Sequence, residues 1–268
     1  MLKIDYNSFD FSSVKKNATF YFEHDDKGHK LNAFMSSKEC NDKLVVFLQG
    51  AIDREKLSPP IYHRWSWHKE IDSNVLCIND PLLNKHDDLR IGWYAGTKNF
   101  EYIRKYSKLI LKIIDDLSID RNKLMFYGSS AGGFAAIQFG VAIRNSTVVV
   151  NNPQTCILDY YETHVDDYLK VAFPDNSKED VRKLFGKRLD LKELIANSTH
   201  IPDIHYYQNL ADSFHYKNHF IPFISRVFEC GKASSLKIEI YRDDTEGHSP
   251  LSRSKSITII NDFFKSLE

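Results

Sequence analysis

LMFYGSSAGG, residues 124–133, decides how this chain is read. A short apolar strand runs straight into Gly128-Ser129-Ser130-Ala131-Gly132, a G-x-S-x-G pattern, and then into the helix-prone GFAAIQFGVAI of residues 133–143. A serine perched on so tight a strand-to-helix turn must take strained dihedrals, and the positions two residues to either side, Gly128 and Gly132, admit only very small residues. The same turn sets Ser130 at a helix N-terminus, where free N–H groups and the positive dipole end stabilise charge developing on a substrate oxygen. The N–H of Ala131 is the first donor expected there. The competing reading is a glycine-rich turn that only packs or binds phosphate; the chain lacks both the G-x-G-x-x-G order and the Gly-Lys-Ser/Thr ending of such loops.

Around this turn, eight segments have strand character: 18–22, 31–35, 44–48, 75–78, 124–127, 148–150, 204–207 and 238–241. The first two flank HDDKGHK, whose Asp-Lys-Gly centre predicts an antiparallel hairpin. From the third onward, strands alternate with helix-period stretches, the pattern of βαβ units with a parallel sheet and helices on both faces. Helices are expected at 102–114, 133–143, 189–196, 219–228 and 254–264. The charged stretch 155–201 interrupts the alternation and reads as a small helical insertion after the sixth strand, either a cap over a site or a solvated excursion. The 268 residues suit one domain.

If Ser130 is a nucleophile, its partners follow in the order acid, then base. After the last strand comes DDTEGHSPLSRS, with His248 in a polar loop before the final helix. After the preceding strand comes NLADSFHYKNHFIPF, in which Asp212 is the only acid. His248 would take the Ser130 proton and Asp212 would hold its tautomer; Asp243, Asp244 and Glu246 are rival acids. This is the layout of an α/β-hydrolase fold. The second oxyanion donor is then due in the loop after the third strand, LVVFLQGAIDR, at the N–H of Gly50 or Ala51. Tyr62, Trp65 and Trp67 in PPIYHRWSWHKE either stack on sugars or pack. His215 and His219 imitate a metal site with Asp212, but H-x-x-x-H without the glutamate of H-E-x-x-H is a poor zinc signal; we expect no metal, and His215 is instead a candidate for touching substrate.

Lys and Arg total 36 and Asp and Glu 36, so no polyanion-binding surface is advertised and nucleic acid is not an expected partner. No window approaches the roughly 20 apolar residues of a membrane span, and the N-terminus lacks a signal-peptide core, which makes the cytoplasm the expected compartment. Cys40, Cys77, Cys156 and Cys230 are widely spaced, as ordinary thiols are.

The runs GSSAGGFAAIQFG and VVVNNPQTCILDYY, with ADSFH at Asp212 and EGH at His248, resemble the α/β-hydrolase-fold proteins of bacterial capsule and surface-polysaccharide gene clusters, of the meningococcal serogroup A capsular O-acetyltransferase type. The resemblance spans most of the second half of the chain. It implies a Ser130, Asp212, His248 triad, acetyl-CoA as acyl donor with no resident cofactor, and a polysaccharide hydroxyl as acceptor. It also makes Asn152, Pro153 and Gln154 candidate site-shaping residues. An esterase with the same triad and a non-catalytic subunit of an envelope-glycan assembly system are the alternatives.

Overall fold

The computed structural model describes residues 1–39 and 41–268, so Cys40 lies outside the described residues. Among the described residues, nine strands form one sheet in the order β1-β2-β3-β5-β4-β6-β7-β8-β9. They are β1 Leu2–Lys3, β2 Ala18–Asp26, β3 His29–Ser37, β4 Leu44–Leu48, β5 Asn74–Ile78, β6 Leu124–Ser129, β7 Thr147–Asn151, β8 Asp203–Asn209 and β9 Leu236–Tyr241. The expected count of eight is corrected by β1, whose two residues pair parallel with β2 and are too short to show any alternation. The β2–β3 hairpin turns through Lys27 and Gly28, both at positive φ (56° and 80°), the hand that matches strand twist. From β5 onward every pairing is parallel.

The central strands are buried on both faces, which explains their unbroken apolar runs: all five residues of β4, β5 and β7 are inaccessible. One face is covered by α1 Tyr102–Asp116, α2 Ala131–Ala142 and α7 Ile221–Glu229. The other is covered by α8 Arg253–Lys265 and a 3-10 turn, Trp65–Lys69. The insertion supplies α3 Glu162–Ala172, α4 Lys178–Leu189 and α5 Leu191–Asn197. It packs Val165, Tyr168 and Ile195 into the same core as α1 and α2, so it is not a solvated excursion.

Helix boundaries differ from the sequence reading by one or two residues in several places, and two differences bear on the site. Helix α2 starts at Ala131, two residues early, because the glycines that argue against helix are required there by close packing. The helix expected at 219–228 begins at Ser213, as the single turn α6 Ser213–His215, and reaches α7 through a π-helical segment, Tyr216–Phe220. Asp212 starts it by accepting the His215 N–H, at 3.3 Å.

Candidate active site

Strand β6 delivers Ser130 onto the turn with φ 55° and ψ −125°, a conformation costly for any residue with a Cβ. Packing enforces it. A Cβ on Gly128 would come within 2.2 Å of the Gly132 carbonyl, and one on Gly132 within 2.5 Å of Leu48 O, so neither position tolerates a side chain. The chain leaving β4 at Gly50 passes so close that a Cβ there would lie 3.9 Å from the Cβ of Ser130.

Two side chains from remote loops converge on this turn. His248 Nε2 lies 3.0 Å from Ser130 Oγ, and His248 Nδ1 lies 2.5 Å from Asp212 Oδ2. With Nδ1–H donating to the carboxylate, Nε2 is free to accept from the serine hydroxyl. Burial pushes the Asp212 pKa up, but the hydrogen bonds and charge interactions of His215 and His248 outweigh it and hold the carboxyl below its usual range. Asp243 and Asp244 point elsewhere: Asp243 Oδ1 accepts from Thr245 and Glu246, and Asp244 pairs with Arg242.

The hydrogen bonds continue into a closed ring. Asp212 Oδ1 accepts from His215 Nδ1 at 3.0 Å, which leaves His215 Nε2 as an acceptor for Gln154 Nε2 at 2.9 Å. That same amide nitrogen donates to Ser130 Oγ at 2.7 Å, so the circuit runs serine, His248, Asp212, His215, Gln154 and back to serine. The indole of Trp93 fixes the amide's orientation by donating to Gln154 Oε1 at 3.1 Å. The His215 and His248 rings stack 3.8 Å apart and 10° from parallel. Burial, chiefly, holds the pKa of His215 below the ordinary histidine value, and it pushes that of His219 to about 3.

The remaining residues singled out in the sequence fall in different places. Ala131 occupies the first position of α2, where its N–H has no intrahelical acceptor. The N–H groups of Gly50 and Ala51 donate to nothing among the described residues. Asn152 is buried at φ 42°, with its Oδ1 accepting from Asn209 N at 2.8 Å, so its side chain faces protein. Gln154 and His215 are buried in the ring. Pro153 packs against Gly133. Trp67 packs on Phe47 and Tyr127, whereas Trp65 is 45% exposed. The carboxylate of Asp212 and ring nitrogens of His215 and His248 lie within 4.8 Å of one another, close enough to hold a metal, but hydrogen bonds already engage all three. His219 Nδ1 turns away to accept from Thr155 N–H, which separates it from His215 as a ligand pair.

Four residues at the site carry no motif. Trp93 and Tyr94 sit at φ 53° and 55° within IGWYAG, and the glycines flanking that aromatic pair are its only sequence signal. Arg64 lays its guanidinium over Trp67 and Tyr127 and donates to Ser129 Oγ at 2.8 Å. Buried Asn209 donates to the carbonyls of Asp243 and Gly247 and accepts from the N–H groups of Ala211 and Asp243, tying the Asp212 loop to the His248 loop.

No family model matches the chain, and no curated protein matches it in sequence. Solved structures do. The capsule O-acetyltransferase of Neisseria meningitidis serogroup A aligns with a TM-score of 0.65 over 91% of this chain and 93% of its own, at 19% identity. A histidine-to-alanine variant of that enzyme in complex with CoA aligns at 0.63, over 91% and 93%, at 20% identity. The S-formylglutathione hydrolase of Agrobacterium tumefaciens aligns at 0.62 over 92% and 93%, at 15% identity. The likeness to the capsule O-acetyltransferase read in the sequence thus extends through the whole fold, which is that of an α/β-hydrolase.

Proposed function

We propose that this chain is a serine acyltransferase that moves acetyl from acetyl-CoA to a hydroxyl of a bacterial capsular or cell-surface polysaccharide, in the cytoplasm. The observation that carries the reading is the relay from Ser130 Oγ through His248 to Asp212, at 3.0 and 2.5 Å. His248 Nε2 takes the hydroxyl proton as Oγ attacks the thioester carbonyl carbon, and the N–H groups of Ala131 and of Gly50 or Ala51 receive the oxyanion. The C–S bond then breaks, CoA leaves with the proton from His248, and acetyl-Ser130 remains. A sugar hydroxyl gives its proton to His248 as it attacks the acetyl carbon, and His248 passes that proton to Ser130 Oγ as the acyl–serine bond breaks. Likeness to the meningococcal enzyme and its CoA complex supports the choice of donor. Likeness to an S-formylglutathione hydrolase, at a TM-score of 0.62, supports a second reading, in which water takes the place of the sugar.

Incubation with acetyl-CoA, with and without capsule oligosaccharide, separates the two. Transfer requires CoA release that rises with the glycan and an acetylated glycan product. CoA release indifferent to glycan, with deacetylation of a pre-acetylated polymer, would establish the hydrolase instead. Ser130→Ala abolishes both reactions and the covalent adduct with a fluorophosphonate; activity surviving that change refutes the nucleophile.

A further inference from the structure

Strand β9 is the outermost strand on its side of the sheet, and no described strand pairs with its far edge. It is poorly guarded. Ile238 and Ile240 are 39% and 50% exposed, and they share a face with Leu236, which packs against the core. Helix α7, lying over that same face through Phe223 on Tyr206, leaves Ile221 exposed and Phe228 60% exposed. The opposite edge, by contrast, ends in the two-residue β1. A six-residue edge with unpaired backbone groups and an apolar stripe invites another strand.

The sequence LKIEIY specifies which strand. Paired antiparallel with a copy of itself about Ile238, it sets Ile238 against the partner's Ile238 and Leu236 against the partner's Ile240, so the apolar stripe continues without a break. On the other face the same register sets Lys237 against the partner's Glu239, and Glu239 against the partner's Lys237. Lys237 has no carboxylate partner in its own chain among the described residues, while Glu239 is shared with exposed Lys255. Both faces are therefore self-complementary under one two-fold axis, the requirement of an isologous interface. We propose that the chain is a homodimer formed by antiparallel β9–β9 pairing, which joins the two nine-stranded sheets into one, with Ile221 and Phe228 of both copies flanking the seam.

Charge complementation tests it on the full chain at micromolar concentration by sedimentation velocity or light scattering. The wild type should have twice the 31.2 kDa of one chain. Lys237→Glu places two acids opposite each other at each of the two contacts and Glu239→Lys two bases, so each variant alone should run as a monomer. A 1:1 mixture restores both opposite-charge contacts and should return to the dimer mass, which a folding defect could not do. Ile238→Lys should be monomeric with its thermal transition kept. A monomeric wild type, single variants that stay dimeric, or a mixture that stays monomeric would each overturn the proposal. None of these outcomes depends on what Ser130 does.

Discussion

At the scale of single residues, the consequential side chain is Gln154, whose amide sits 2.7 Å from Ser130 Oγ, the proposed nucleophile, and is oriented by Trp93. A donor fixed on Oγ favours the partial negative charge that this atom carries whenever its bond to carbon is forming or breaking. Gln154→Met should therefore lower kcat/KM for p-nitrophenyl acetate by roughly tenfold to a hundredfold, the scale of one hydrogen bond to a charged group. His215→Phe removes the second donor to Asp212 while keeping a ring beside His248, and should cost about tenfold. Because both act through one ring of hydrogen bonds, the double variant should lose less than the product of the two. Wild-type rates for Gln154→Met would assign the contact to packing alone.

At the scale of elements, the strand-to-helix turn is held by absent side chains. Gly132→Ala drives a methyl to within 2.5 Å of Leu48 O, a backbone atom of a fully buried strand, and should destabilise the protein by about 3 kcal/mol or prevent folding. Gly186→Ala is the control: its methyl would meet only Glu193 Cγ at 3.8 Å, and helix propensity favours it by up to about 1 kcal/mol. Urea unfolding of the two variants gives the comparison; equal stabilities would contradict it. The elements most legible in the sequence were those under local rules. Strand β4 was bounded to the residue by its apolar run, and α1 was found from one apolar face. What escaped was set by partners distant in the chain. Nothing local distinguishes Asn209 from any other polar residue at a strand end, since its role comes from carbonyls at 243 and 247. Asn152 and Gln154 looked alike beside Pro153, and only the fold decides that one faces Asn209 and the other Ser130. Trp65 and Trp67 were likewise inseparable by composition; Trp67 packs between Phe47 and Tyr127, while Trp65 touches Phe34 and stays 45% exposed.

At the scale of the whole molecule, 36 bases balance 36 acids, so stability against pH is governed by particular buried groups rather than by net charge. Asp80 is one: burial pushes its carboxyl from 3.8 up to about 6, against the pull of hydrogen bonds from the N–H groups of Tyr94 and Leu82. Below about pH 4 it is protonated in the folded and unfolded chain alike and costs nothing. As pH rises through 6 the unfolded chain ionises first, so stability should fall by about 3 kcal/mol, a shift of about two units at 1.36 kcal/mol each. Asp212 works in the opposite sense: its depressed folded value lends stability above the ordinary carboxyl range, lost only as pH drops further. Asp80→Asn should therefore flatten the unfolding free energy between pH 4 and 7. Parallel curves for wild type and variant would remove Asp80 as the cause.

The parallel imidazoles of His215 and His248 limit how much charge this centre can carry. Accepting the serine proton makes one ring a cation only 3.8 Å from the other, and a second proton would set two cations face to face over a single carboxylate. In the proposed reaction the inner imidazole must therefore stay neutral while the outer one takes up and returns the proton, so the stacked pair works with one positive charge at a time.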